Sequence, residues 1–246
     1  MSSLLKLQKE IRSCANPEKA AILRRFFKTG KGEYAEGDVF LGVMVPEQRI
    51  IAKKFADLSL SDAEKLLHSK FHEERLVALF ILTARFEKGD ENMQAASAKA
   101  TASRRRKIFS LYLANTRHIN NWDLIDLSAP KIVGEFLFKE GKGIAILKKL
   151  ARSADLWERR IAILATFQYI KYNCLEESLA IATMLLEDKH DLIHKSVGWM
   201  LRETGKRNPR VLEDFLEKHA GTMPRTMLRY AIEKLEETER QKWLNC

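Results

Sequence analysis

A cation recurs at a nearly fixed interval in the second half of this sequence. Arg160, Lys195 and Arg229 stand 35 and 34 residues apart, and each opens a run of small or branched apolar residues: Arg160-Ile161-Ala162-Ile163, Lys195-Ser196-Val197-Gly198 and Arg229-Tyr230-Ala231-Ile232. Arg75-Leu76-Val77-Ala78 has the same form. A period of this length with two helices per unit is the signature of an α-solenoid, in which one unit cannot bury its apolar face alone and stacking completes the core. Stepping 34 residues back from Arg160 gives Asp126, an acid where the other units carry a cation. The longer gap from Arg75 to Asp126 predicts an insertion, assigned to the polar stretch from Ser97 to Lys107.

Local signals agree with helices. Asn16-Pro17-Glu18 and Asn208-Pro209 each join an N-cap to a proline at the first helical position, and Ser61-Asp62-Ala63-Glu64 reads as a capping box. Apolar residues return every three or four positions, as in Ile161, Leu164, Phe167 and Ile170. Glycine and proline number 11 and 5 in 246 residues, below the roughly 12% of average usage, so a chain dense in tight β-turns is not expected. The expectation is an all-α protein of about twelve helices in a single domain over residues 1–246, with stacked pairs presenting a concave face.

Charge and cysteine usage narrow the partners. Lys and Arg number 43 against 33 Asp and Glu, a formal charge of +10 with 46% hydrophobic content. Disorder is thereby excluded, and an acidic polymer becomes the natural partner, although charge alone implies only nonspecific affinity. Cys14, Cys174 and Cys246 are odd in number, far apart and free of CxxC spacing, which fits a reduced cytoplasmic setting. The longest apolar run, Leu76 to Ala84, is about half a membrane span, so neither a signal peptide nor a membrane helix is expected.

Several residue groups could carry chemistry. The run Ser103-Arg104-Arg105-Arg106-Lys107 must be solvated or face an anion, because four successive cations cannot all point into a core. With Arg160, Arg202, Lys195 and Arg229 it supplies material for a basic groove along a phosphate backbone. His68 and His72, then His190 and His194, stand four apart, but no HExxH and no third ligand accompany them, so no metal is expected. Walker, GxGxxG and GxSxG motifs are absent. The sharpest feature is Asn120-Asn121-Trp122-Asp123-Leu124-Ile125-Asp126, which sets Trp122 and Asp126 on one helix face and leaves Asp123 free to cap. A tryptophan in a helix is more often core than ligand contact, and pattern alone does not decide between them.

Four segments together resemble one family. Phe40-Leu41-Gly42-Val43-Met44-Val45-Pro46-Glu47-Gln48-Arg49, Trp122-Asp123-Leu124-Ile125-Asp126, Trp157-Glu158-Arg159-Arg160-Ile161-Ala162-Ile163-Leu164 and Gly198-Trp199-Met200-Leu201-Arg202-Glu203 are similar, in this order, to signature segments of the AlkD-type DNA alkylation repair glycosylases. The resemblance spans most of the chain. It implies a monomeric stack of HEAT-like repeats whose basic, concave face holds duplex DNA, in the cytoplasm and associated with the nucleoid. It also implies excision of N3-alkylated adenine and N7-alkylated guanine without a cofactor. By matching position, Asp126 is the catalytic carboxylate, Trp122 and Trp199 contact the lesion, Tyr34 is a third aromatic contact, and Arg160 meets the backbone. Arg202 joins Tyr34 and Arg160 as a substrate contact, and Lys195, Arg229, Arg104 and Arg105 are further backbone candidates. The sequence departs from the family at residue 121, where many members carry a second Trp in place of Asn121.

Elementary chemistry fits those roles. A purine alkylated at N7 or N3 is already cationic and leaves readily, so the remaining barrier is the oxocarbenium-like sugar. A nearby carboxylate stabilises that charge and can orient water. Indole faces attract cations by about 0.5–2 kcal/mol each, and the resemblance implies action with the lesion left in the duplex. Two other classes stay open: a DNA-binding helical-repeat protein without catalysis, which would not need Asp126, and a protein-interaction scaffold, which would show no preference for duplex DNA.

Overall fold

A computed structural model describes residues 2–88, 95–141 and 143–245, with the side chains of residues 95–97 also left aside. Cys246, counted above, lies outside the described residues. The chain divides into two compact units, Met1–Leu124 and Ile125–Cys246. Among the described residues there is no strand, and the only sheet-like contact is an isolated bridge between Val39 and Phe71. The all-α expectation holds. No described helix is long and apolar enough to cross a membrane.

The first unit contains α1 (Ser3–Ser13), α2 (Pro17–Phe26), α3 (Val45–Lys54), α4 (Leu60–Leu67), α5 (His72–Glu87) and α6 (Ala95–Ala114), and it ends in the first turn of α7 (Trp122–Ala129). Its centre is α5, packed by α1, α3, α4 and α6 and buried on nearly every side from His72 to Thr83. A helix apolar all round is a core helix. Its two buried glutamates are satisfied: Glu73 accepts the Leu41 and Gly42 N–H groups at 2.9 and 2.7 Å, and Glu74 accepts from Gln8 and Arg12 at 3.1 and 2.7 Å. Gly42 permits that cradle, since its φ is +82° and a Cβ there would lie 2.1 Å from the Asn16 carbonyl oxygen.

The second unit begins within α7, passes through a π turn at Pro130–Gly134, and continues as α8 (Glu135–Glu140), α9 (Ile144–Ala151), α10 (Leu156–Lys171), α11 (Glu176–Met184), α12 (Asp191–Arg207), α13 (Pro209–His219), α14 (Arg225–Ala231) and α15 (Glu237–Leu244). Pro130 has no N–H to donate and its ring would crowd a regular turn, so the wider turn lets the helix continue past it. Here α10 packs on α9, α11 and α12, and α12 packs on α13 and α14. Gly198 allows the last approach, because a Cβ at this position would sit 2.4 Å from the Met227 carbonyl oxygen.

The repeat register has a direct structural meaning. Asp126, Arg160, Lys195 and Arg229 are each the fifth residue of their helices, α7, α10, α12 and α14. Both Asn-Pro caps form as expected: Asn16 accepts from Lys19 N at 3.0 Å and Asn208 from Arg210 N at 3.1 Å. The third helix start moves. Ser59, not Ser61, caps α4 by accepting the Asp62 N–H at 3.1 Å, which puts Asp62 in the first turn where the N-terminal dipole favours it. Fifteen α-helices appear among the described residues rather than about twelve, because pieces of six to eight residues such as α8, α14 and α15 are too short to show a clear period.

Candidate functional site

Two groups of the expected site residues are assembled, one in each unit. In the first, α2 ends in Phe26-Phe27 and the following loop brings up Tyr34. The Trp122 ring stacks on Phe27 at 5.2 Å with 24° between the planes, and its Nε1–H donates to the Tyr34 hydroxyl oxygen at 3.3 Å. Phe27 also stacks on Phe40, at 5.0 Å and 17°. Trp122, Ala20, Leu23, Phe27 and Phe40 form one apolar cluster, so the indole is held from behind while remaining half-buried. Trp122 is thus both core and surface. Phe26, which carries no motif of its own in the sequence, lies edge-on to Trp122 at 6.0 Å and is 61% exposed. Its signal was the Phe-Phe pair at the basic end of α2.

The support continues behind the rings. His72 stacks on Phe40 at 4.5 Å, with Nδ1 2.9 Å from Asp38 and Nε2 2.8 Å from Asp123. Arg75 Nη2 donates to Asp38 at 2.5 Å. Asn121 is fully buried, donates to Asp38 at 3.3 Å, and accepts the Trp122 N–H on Oδ1 at 2.8 Å. The expected cap from Asp123 is therefore replaced, since its Oδ2 is used by His72.

In the second unit Arg160 grips Asp126. Nε donates to Oδ1 and Nη2 to Oδ2, both at 2.8 Å, while Nη1 donates to the Leu192 carbonyl at 2.6 Å. This is the bidentate fork that a planar guanidinium makes with a carboxylate. Arg160 is 5% exposed, whereas the Asp126 side chain keeps 21% of its surface. Arg160, expected against a phosphate, has its guanidinium turned to the carboxylate. The partly exposed side of the Asp126 carboxylate is the side an incoming cation could approach.

Trp199 lies beside Phe167 at 6.3 Å, with its Nε1–H donating to Glu203 at 3.2 Å. Next to it Phe167, Ile170, Lys171, Glu203, Lys206 and Arg207 line an open hollow. Arg202 pairs with Glu233 and Lys195 with Asp191, the latter at 2.7 Å. Burial pushes the Asp191 carboxyl up, but the Lys195 bond and charge, with Thr226 and His194, hold it below the usual range. Arg229 is exposed.

Arg104 and Arg105, expected along a phosphate backbone, serve a helix end. Arg104 donates to the carbonyls of Arg85 and Lys88, and Arg105 Nε to that of Phe86 at 3.0 Å. The last carbonyls of a helix lack partners within it and carry its negative end, which suits two guanidinium groups. The histidines of each pair turn to different partners. His68 contacts Asn115 at 2.6 Å, His190 Nδ1 accepts the Leu192 N–H at 3.1 Å, and His194 meets the Asp188 carbonyl at 2.5 Å. Among the described residues no group of three metal-ligating side chains occurs.

The units and these two assemblies define a helical protein with an aromatic platform and an arginine-held carboxylate. A family model for DNA alkylation repair enzymes matches residues 7–235, and the chain belongs to that family. The fold is similar to a structure described as a predicted DNA alkylation repair enzyme from Enterococcus faecalis, with 17% identity over 91% of this chain and 97% of that one and a TM-score of 0.66. It is also similar to AlkD2 from Streptococcus mutans, with 19% identity over 89% and 98% of the two chains and a TM-score of 0.54. A search of curated proteins gives no match.

Proposed function

We propose that the protein is a DNA glycosylase that hydrolyses the N-glycosidic bond of cationic N3-alkyladenine and N7-alkylguanine in duplex DNA, with the lesion left in the stack. The observation that carries this reading is Asp126: a partly exposed carboxylate held rigidly by Arg160, in the helix that also bears Trp122. Such a group needs no reorganisation to stabilise an oxocarbenium-like sugar, and a rigid charge is the kind that lowers a barrier most. Trp122, backed by Phe27 and anchored by Tyr34, offers a π face to the positive base. Trp199 offers a second. The excess of cations suits a polyanion.

Hydrolysis then runs as follows. The cationic purine departs as a neutral base, carrying off the electron pair of the C1′–N bond. Asp126 stabilises the sugar cation left behind and orients a water, whose oxygen bonds to C1′ and whose proton is released. An abasic site results. Duplex binding without excision is the second reading, favoured by the fact that both Asp126 oxygens already accept from Arg160. One experiment separates them: incubation with duplex DNA carrying a single N7-methylguanine, followed by assay for an abasic site. Strand scission after alkali at that position supports the glycosylase, and binding with intact DNA supports the alternative.

A further inference from the structure

The platform under Trp122 is built around a histidine that the excision chemistry does not use. His72 opens α5, is 2% exposed, and has a carboxylate at each nitrogen: Asp38 Oδ2 at 2.9 Å and Asp123 Oδ2 at 2.8 Å. A carboxylate only accepts, and a neutral imidazole has one donor nitrogen, so two such contacts call for the imidazolium. The ring lies 4.5 Å from Phe40 and 5.2 Å from Phe27, whose other neighbour is the Trp122 indole. Asp123 directly follows Trp122 in the first turn of α7. Asp38 reaches the same turn from the other side, through Asn121 and the Trp122 N–H.

We propose that the His72 imidazolium is a positioning residue for Trp122, clamping the first turn of α7 between Asp38 and Asp123 so that the indole stays seated on Phe27 where a cationic purine would meet it. The inference rests on Trp122 being a lesion contact. His72 itself touches no substrate.

The charged groups around His72 are few. Asp38 comes from the loop ahead of α3, Asp123 from α7 and Arg75 from its own helix, the last acting on Asp38. The α2 side and the Phe40 segment contribute rings. Burial pulls the imidazolium towards its neutral form, but the charge and hydrogen bond of Asp123, and then those of Asp38, prevail and lift its pKa from 6.5 to about 9. Because the folded value lies above the ordinary one, the clamp is fully present below about pH 6.5 and is lost as pH rises through about 9. Deprotonation leaves one bare nitrogen lone pair facing a carboxylate, and the clamp loosens.

The test combines a titration with single-turnover kinetics on the full chain. The imidazole ¹⁵N shifts of His72 and the indole Nε1–H resonance of Trp122, identified with Trp122→Phe, are followed from pH 6 to 10. Excision of N7-methylguanine from duplex DNA is timed over the same range for wild type, Asp123→Asn and His72→Gln. The expected results are coincident His72 and Trp122 transitions and an alkaline fall in rate at the same pH. Asp123→Asn, which keeps the shape but loses the charge, should draw both towards neutrality by about one pH unit or more. His72→Gln should cut the rate about 10- to 100-fold, the scale of a small misplacement, with affinity for undamaged duplex nearly unchanged. A packing role would not move the pH limb. Deprotonation of His72 below pH 7, or a Trp122 resonance or alkaline limb indifferent to Asp123→Asn, overturns the proposal. Should wild type excise nothing, the glycosylase reading fails, and the coupled resonances still decide the clamp.

Discussion

Arg160 holds Asp126 by two parallel hydrogen bonds of 2.8 Å, and the two residues occupy the same position in their helices, the fifth. The acid that breaks the cation register is therefore paired with the cation of the next repeat. If the Asp126 carboxylate carries the chemistry, Asp126→Asn should lower single-turnover excision of N7-methylguanine by about 10² to 10³. Duplex affinity should hold or rise slightly, since a negative charge is lost. Equal rates for the two proteins would remove Asp126 from the mechanism.

Arg160→Ala tests the same pair from the other side. It takes a buried guanidinium away from the Asp126 carboxylate and the Leu192 carbonyl, and a broken buried pair costs about 3–5 kcal/mol, with the lower end expected because Asp126 keeps 21% exposure. Urea unfolding reads this loss. The salt slope of duplex binding should stay constant, because a guanidinium committed to Asp126 releases no counterion from a phosphate. A slope shallower by about 0.9 would instead put Arg160 on the backbone.

Arg229 and the Arg104–Arg105 pair should behave oppositely. Arg229 is exposed, and Arg229→Ala should reduce the salt slope by about 0.9 if it meets one phosphate. Joint replacement of Arg104 and Arg105 by Ala uncaps α5. That variant should lose about 1–3 kcal/mol of stability, on the scale of hydrogen bonds to charged donors, with little change in slope. Denaturant midpoints and binding titrations at several salt concentrations distinguish the two cases.

Trp122→Ala should damage the platform and the cluster behind it together. Phe27 loses its stacked partner and Tyr34 its donor, so stability should fall by about 3 kcal/mol or more. Trp122→Phe keeps a π face and most of the packing, and it should retain more of the preference for a cationic over a neutral lesion. Competition between lesion-bearing and unmodified duplex measures that preference.

What the sequence disclosed follows the range of the interactions involved. The Asn16-Pro17 and Asn208-Pro209 caps act within three residues and are legible directly. The register of Asp126, Arg160, Lys195 and Arg229 was legible because repetition at 34 or 35 residues makes a distant relationship periodic. Arg104 gave no such clue, since its carbonyl partners near the end of α5 lie 16 and 19 residues away and are brought within reach only by packing. His68 and His72 show the converse. Their four-residue spacing suggests a shared ligand, yet one turns to Asn115 and the other to Asp38 and Asp123, 47, 34 and 51 residues distant.

Asn121 fixes how this protein could change over time. Its amide fills a fully enclosed space and joins Asp38 to the Trp122 backbone. Asn121→Trp alone would force a bulky ring into a filled site and would cost Asp38 one donor. A second Trp at this position therefore requires that the loop bearing Asp38 be altered before or together with residue 121. Enlarging the aromatic face at residue 121 thus presupposes a rebuilt support behind the indole.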